Sequence, residues 1–426
     1  MVYIGRLSIR ESFNLYKKHL QRGKASFYEA IGFDIVMGKR EGVWIWSLDG
    51  RRFFDAHCNG GVYNLGHRNP LLIKTLIAAL EELDIGNHHL ISEHRAILAE
   101  KLARLFPGEL NRVMYSVGGG EAVDFAIKLA RGYTRKKKII YARGGYHGTT
   151  GLAIVAGDDY YKKPFEPLAP GFIQVEHGVI DDFRKVVDED TAAVLLETIP
   201  ATLGMKTPPM EYYKEIREIC DKYGCLLILD EIQTGLARTG KLWGFQHYDV
   251  VPDIVVIGKG LSGGLYPITA TIYRDDLEEF IEKHPFTHIS TFGGSELGTV
   301  VAERVVDIVS SKSFLEHVNI ISGKIWSLLE NLASDYDDII EETRGKGLFI
   351  GIKTKSKGLG PLLSLSLIHN GILAVFANND KSVVQFLPPL ITREEHLEYL
   401  EDRINSALSM VRENRSMEKI ILEMIP

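Results

Sequence analysis

From about residue 137 the chain alternates short runs of β-branched and aliphatic residues with longer stretches whose apolar positions recur at helical spacing. The runs KKIIYA, GFIQVE, AAVLLE, CLLILD, DIVVIG and ITATIY predict strands, and EYYKEIREICDKYG predicts an amphipathic helix closed by Gly224. Alternation of this kind predicts an α/β fold, a mostly parallel sheet with helices on both faces. In such sheets ligands sit at the carboxyl ends of the strands. Ahead of this region, GVWIWSLDGRRFFDA alternates around Asp49-Gly50 and predicts a β-hairpin. After about residue 306, long helical patterns surround GLFIGIKT, ILAVFA and VVQFLP, which predicts a smaller α+β domain. The expected division is an N-terminal segment (1–55) packed with the small domain, a large domain (56–305) and the small domain (306–426).

Four features fall at or near predicted strand ends. In SVGGGEAVDFAIKLAR, Gly118, Gly119 and Gly120 precede a helix, where free backbone N–H groups can cradle a phosphate or simply start the helix. In ARGGYHGTT, Tyr146 and His147 sit on a glycine-flanked turn, where an aromatic ring can stack on a flat ligand or only fill the turn. In CLLILDEIQTG, a buried strand ends abruptly in Asp230, with Gln233 following. A buried acid there is costly unless it meets a cation, although it can also cap the next turn. In DIVVIGKGLSGGLYP, Lys259 follows a buried strand, and desolvation there lowers a lysine's pKa and makes its amine nucleophilic. Gly258, Gly260 and Gly263 also spell a dinucleotide fingerprint, but that motif must open a helix. Here Gly264, Pro267 and another strand-like run follow, so the fingerprint fails its context.

Composition narrows the setting. With 426 residues, 45% hydrophobic and 25% charged, and a net charge of -6, the chain offers no basic stripe for nucleic acid and no polybasic membrane anchor. No apolar run approaches the about 20 residues a membrane span needs. Three cysteines, Cys58, Cys220 and Cys225, are too few and too isolated for a disulfide scaffold or a metal site, which predicts a reducing, cytoplasmic location and no bound metal.

Taken together, DEIQTGLARTG, YHGTT, GKGLSGGLYPITA and HISTFGG resemble the motifs of the class III aminotransferases, in that family's order. YNLGHRNP, TRGKGLFIGI and FLPPLITREE extend the resemblance over nearly the whole chain, and KKPFEPLAPGF with PFTHISTFGG looks closest to the putrescine aminotransferases. The resemblance implies fold type I of the pyridoxal-phosphate enzymes and pyridoxal 5'-phosphate as cofactor. It implies that Lys259 holds the cofactor as a Schiff base and moves protons at the substrate's Cα. Asp230 would pair with the pyridinium nitrogen, Gln233 contact the ring's 3′-oxygen and Tyr146 stack on the ring beside His147. The phosphate would rest on Gly118, Gly119 and Gly120 and on Thr291 of a neighbouring subunit, making a two-fold homodimer the minimal unit.

Departures from the family pattern bear on the substrate. Gly118-Gly119-Gly120 stands where the family has Ser-Gly-Thr, so the hydroxyls are gone. Gln385 stands where enzymes using 2-oxoglutarate carry an arginine that clamps the α-carboxylate. Thr202 aligns with a glutamate that neutralises that arginine, and Thr149 with a basic residue. His88 and His89, in GNHHLISEHR, are equally substrate contacts or plain loop residues. The expected activity is transfer of an amino group from a small amine or amino acid. A racemase or epimerase of amino acids or amino-lactams is the alternative, since some family racemases also lack the arginine. A non-catalytic cofactor-binding protein fits poorly with retention of Lys259, Asp230 and Gln233.

Overall fold

The computed structural model describes residue 5 and residues 7–425. Residues 1–4 and 6 of the N-terminal segment and residue 426 of the C-terminal one lie outside the described residues. The N-terminal segment supplies two helices, Ile9–His19 and Arg22–Ala30, then strands β1 (Met37–Glu41), β2 (Trp44–Ser47) and β3 (Arg52–Asp55). β2 and β3 form the expected hairpin, with Trp44 opposite Phe54 and Gly50 turning at a φ of 89°.

The apolar runs of the middle region form one seven-stranded sheet. Its strands are β4 (Leu110–Ser116), β5 (Lys138–Ala142), β6 (Phe172–Val175), β7 (Thr191–Glu197), β8 (Leu226–Asp230), β9 (Ile254–Ile257) and β10 (Thr269–Arg274). Their spatial order is β4-β10-β9-β8-β7-β5-β6, and β10 runs antiparallel to both its neighbours. The central strands β8 and β9 are buried at every position, which is why they read as unbroken apolar runs. β4 has no such signature. It lies at the sheet edge, so LNRVMYS carries polar Asn111 and Arg112 on exposed positions.

The helix Gly119–Thr134 follows β4 and packs Val123, Ala126, Ile127 and Ala130 against the sheet. Tyr212–Tyr223 forms the expected amphipathic helix, and Gly224 ends it in the left-handed conformation at φ 58°.

The helix Glu296–Val309 runs across the expected boundary at 306, and after it come the helix Lys312–Asp335, then β11 (Ile340–Lys346), β12 (Phe349–Thr354), β13 (Ile372–Leu373), β14 (Val375–Phe376) and β15 (Val383–Phe386). A four-stranded sheet has the order β11-β12-β15-β14. ILAVFA is not one strand: β13 joins the N-terminal hairpin beside β3, and β14 joins β15. Between them the Ala374 carbonyl accepts from Ser364 Oγ at 2.6 Å, a side-chain bond in place of a ladder bond. No helix among the described residues is long and apolar enough to cross a membrane.

Candidate active site

The strands that carry the site are β7 and β8. They end at Glu197 and Asp230, which are register partners on adjacent parallel strands. Asp230 Oδ2 lies 2.8 Å from Nδ1 of the buried His147, and Asp230 Oδ1 accepts the Ile232 N–H at 3.0 Å. One oxygen therefore caps the turn and the other meets an imidazole. Burial opposes a charge on His147, but its hydrogen bond to Asp230 and the charges of Asp230 and Glu197 hold its pKa above the ordinary value. Glu197 Oε1 accepts the backbone N–H of Tyr146 at 2.8 Å, so both acids fix the YHG turn. Burial pushes the Glu197 carboxyl up to about 7, with Asp230 adding to the shift and His147 opposing it.

Lys259 follows β9 in the left-handed region, at φ 43°, a conformation that costs a non-glycine residue energy. Its Nζ donates to Gln233 Oε1 at 2.9 Å. Burial lowers its pKa, against the pull of Asp230 and Glu197. Gly60, at φ 69°, lies so near that a Cβ there would stand 3.2 Å from Lys259 Cε.

The glycine loop closes the cavity. Gly118 caps the 16-residue helix Gly119–Thr134 without a side-chain hydrogen bond, leaving the helix's first N–H groups free for an anion. A Cβ on Gly119 would come within 2.9 Å of Ile232 Cδ1, and one on Gly120 within 2.4 Å of Thr150 Oγ1. A Cβ on Gly118 would meet open space, so the absent hydroxyl at that position is a chemical difference and not a steric necessity.

Gly119, Gly120, Tyr146, His147, Asp230, Gln233 and Lys259 line one cavity of about 190 Å³. Tyr146, Gln233, Lys259 and Thr202 also line an adjoining cavity of about 490 Å³, which reaches Gln385. Thr202 Oγ1 donates to the Gly144 carbonyl at 3.0 Å, and Gln385 Nε2 to the Ala201 carbonyl at 3.3 Å. The remaining expected positions lie outside these cavities. Gly118 lines neither, Thr149 and Thr291 are exposed, and His88 and His89 pack against each other in a surface loop, their rings tilted by 38° with centroids 4.0 Å apart.

Four residues at or behind the site were not singled out from the sequence. His57 and Gly60 approach Lys259 from the segment after the hairpin, and burial keeps the His57 pKa low. Glu197 does have a sequence signal, since AAVLLE ends in an acid just as CLLILD does. Glu231 is buried and turned away from the cavity. It accepts from Thr234 Oγ1 at 2.9 Å and from the Gly244 and Phe245 N–H groups at 2.8 and 2.7 Å, which fastens the loop after β8. Among the described residues no group of three or more His, Cys, Asp or Glu is placed to hold a metal ion.

An open helix N-terminus, a buried acid with an imidazole behind it and a buried amine all face one small cavity. That donor set fits a phosphorylated, cationic pyridine aldehyde: anion site, counter-charge and amine are all present.

Residues 28–408 match the family described as Aminotransferase class-III. The chain is 57% identical over its full length, and over the full length of the relative, to an uncharacterised aminotransferase of Archaeoglobus fulgidus. It is 35% identical to the acetylornithine aminotransferase of Methanopyrus kandleri, over 86% of this chain and 92% of that one. It is also 35% identical to the putrescine aminotransferase of Pectobacterium atrosepticum, over 83% of this chain and 78% of that one. Among solved structures, the ornithine aminotransferase of Toxoplasma gondii superposes with a TM-score of 0.84 at 27% identity, covering 96% of this chain and 100% of that one; it carries PLP in its active site at partial occupancy. These relatives are named for amino-group transfer, which does not favour the racemase alternative. The chain belongs to the class III aminotransferases and is a pyridoxal-phosphate-dependent enzyme of that family.

Proposed function

We propose that Lys259 is the lysine that binds the cofactor covalently and moves the proton at the substrate's reacting carbon, with Asp230 as the counter-charge of the cofactor's ring nitrogen. The observation that carries this reading is the convergence of Lys259, the Asp230–His147 pair and the glycine loop on the 190 Å³ cavity. Bound there, pyridoxal phosphate supplies an electron sink for the charge left on the substrate carbon when its hydrogen is removed.

The chain's own residues do the rest. Gly119 and Gly120 offer amide N–H groups and the helix dipole to the phosphate. His147 orients the Asp230 carboxylate through its contact with Oδ2. Gln233 holds Lys259 Nζ in place, and burial eases loss of the lysine proton so that the amine can act as nucleophile and base. Tyr146, with its N–H fixed on Glu197 and its ring edge-on to Tyr161, stands between the two cavities as a wall for the ring. The substrate is a small amine or amino acid, entering through the 490 Å³ cavity.

The working unit in this reading is a homodimer. Leu90, Ile91, Phe286, Ile289 and Phe292 expose large apolar surfaces on two loops that Arg95 ties together, through the carbonyls of Leu90 and Gly294. Thr291 is exposed on the same edge, which supports its serving a second subunit's phosphate site in this reading. The sparse, unpaired cysteines support a cytoplasmic location.

The test is incubation of the yellow, cofactor-loaded enzyme with a panel of amines and chiral amino acids, with and without keto acids or aldehydes. A shift of the cofactor absorbance to that of pyridoxamine phosphate, reversed by an acceptor, is the expected result. Inversion of an amino acid's configuration with no acceptor present would overturn the transfer reading.

A further inference from the structure

The apolar wall of the 490 Å³ cavity beside Lys259 draws on both ends of the chain and the small domain between them. Phe27 and Phe33 come from the N-terminal segment, Leu365 and Ile368 from the helix Leu359–His369, Phe376 from β14, and Ile421 from the last helix, Glu418–Met424. Apart from Lys259, its described lining contains no Lys, Arg, Asp or Glu. His57 is the one imidazole there, and burial holds it toward the neutral form. Three of its polar side chains bond within the protein, Thr202 with the Gly144 carbonyl, Gln385 with the Ala201 carbonyl and Asn378 with the Tyr161 hydroxyl at 3.1 Å, and the others there besides Lys259 are uncharged.

Charges in the neighbourhood are engaged elsewhere. Arg344 is spent on Asp380 at 2.9 Å and on the Leu203 and Gly204 carbonyls. Arg51, Arg52 and Arg403 line a second cavity, which shares the wall Ile31, Leu365, Ile368 and Ile421. There Arg51 pairs with Asp34 and Asp49, Arg52 stacks on Trp44 at 4.2 Å, and Arg403 lies near Asp402 at 3.5 Å. The two loops that would face a second subunit, NHHLI (87–91) and FTHISTF (286–292), contain no Lys, Arg, Asp or Glu either.

We propose that the amino donor has a neutral, apolar body and carries no second charge distal to its reacting amine. This deepens the reading of Lys259 above and rests on it. An ammonium or carboxylate several carbons from the reacting amine would leave water for a cavity with no counter-charge, which is strongly disfavoured. An alkyl or aryl body instead buries its surface against Phe27, Leu365, Ile368 and Ile421. The donors that name the two 35%-identical relatives each carry a charge away from the reacting amine, and so are poor donors here. The specificity-determining wall is the one shared by the two ends of the chain and the helix Leu359–His369.

The half-reaction of the loaded wild-type enzyme with donor alone tests this, because it needs no acceptor. Cofactor absorbance is followed in single turnovers at increasing 3-phenylpropylamine, isopentylamine, putrescine, ornithine or N-acetylornithine, which separates half-saturation from limiting rate. The expected result is a ratio of limiting rate to half-saturation at least roughly tenfold higher for the two apolar amines, carried mainly by half-saturation. Binding of the same amines to a cofactor-loaded Lys259→Ala variant, measured by titration calorimetry, should follow the same order without any turnover. Putrescine, ornithine or N-acetylornithine matching the apolar amines overturns the proposal while leaving Lys259 in its role. A cofactor signal that no donor changes, with no borohydride labelling of Lys259, overturns the site reading instead. Leu365→Glu should shift preference roughly tenfold toward putrescine, with Ile368→Glu replacing it if it does not fold. An unchanged preference in a folded variant removes these residues from the specificity wall and overturns the proposal.

Discussion

Glu197 and Asp230 occupy paired positions at the ends of neighbouring parallel strands, yet Asp230 is held by the imidazole of His147 whereas Glu197 accepts the Tyr146 backbone N–H. Two acids this close divide their roles according to their partners. Asp230 has an imidazole behind it, at 2.8 Å from Oδ2, and faces the cavity beside Lys259. Glu197, with a pKa raised to about 7, is suited to hold a proton.

Replacing Asp230 with Asn keeps the size and the Ile232 N–H contact but removes the charge. Turnover should fall by about 3 kcal/mol, on the order of a hundredfold, because the counter-charge is lost where charge develops. Cofactor should still load through Lys259 and the glycine loop. Steady-state kinetics with the best donor decide it, and an Asp230→Asn enzyme of near wild-type turnover would make this carboxylate a structural cap.

Glu197 predicts a pH effect on the stability of the cofactor-free protein. Its folded pKa, about 7, lies above the ordinary carboxylate value near 4.5. Between these the folded state binds more protons than the unfolded state, so stability falls as pH rises through this window. Glu197→Gln removes that slope and keeps an acceptor for Tyr146. The variant should gain ~1–3 kcal/mol over wild type at pH 8 compared with pH 5, read from denaturant unfolding. Parallel pH profiles for the two proteins would contradict the raised pKa.

Lys259 has a direct chemical test. Borohydride reduction of the loaded enzyme should fix the cofactor covalently on the peptide containing Lys259, seen as a mass shift after proteolysis. Attachment to any other lysine would remove Lys259 from its proposed role.

The glycine loop differs from its family in a way the structure makes testable. The space a side chain on Gly120 would use is held by Thr150, whose Oγ1 bonds Asp124 Oδ2 at 3.0 Å. Gly120→Ala should destabilise by about 1–3 kcal/mol and weaken cofactor retention, since the added methyl forces Thr150 to move. Thr150→Ala should relieve most of that cost, and the double-mutant cycle measures the coupling. Additive effects would show that the two positions do not compete for this space.

Much of this was legible in the sequence because apolar runs that stop at a single polar residue mark strand ends, and Asp230 does so directly. Lys259 follows its run after Gly258. Glu197 gives the same mark, but one acid at the end of a strand is indistinguishable from an ordinary strand exit until its register partner is known. The edge strands β4 and β11 hide for the opposite reason: exposed Arg112 and Glu342 interrupt their apolar pattern. The wall of the larger cavity was not legible at all, since Phe27 and Ile421 come together only through tertiary packing of the two chain ends. Thr149 rests on the family pattern alone, and His88 and His89 read from their loop equally as substrate contacts or plain loop residues; all three lie outside the two cavities beside Lys259.

Gln385 and Thr202 carry the last prediction, which concerns the amino acceptor. Both line the larger cavity, and each donates to a backbone carbonyl, Thr202 Oγ1 to Gly144 and Gln385 Nε2 to Ala201. Where the resemblance to the family implies an arginine clamping the α-carboxylate of 2-oxoglutarate, this chain has the amide of Gln385. A bidentate arginine–carboxylate pair in a partly buried site is worth about 1.5–3 kcal/mol, or roughly ten- to hundredfold in specificity. Transfer to 2-oxoglutarate should therefore be weak, with pyruvate or an aldehyde preferred. Gln385→Arg alone should recover little, because the new guanidinium would stand in an apolar cavity with no acid to balance it when no carboxylate is bound. Adding Thr202→Glu supplies that acid next door, so the double variant should use 2-oxoglutarate better than either single one. Specificity constants for 2-oxoglutarate and pyruvate across the four proteins measure this. If wild type already turns over 2-oxoglutarate faster than pyruvate, the neutral positions do not set acceptor choice, and the carboxylate is held by a group outside this cavity.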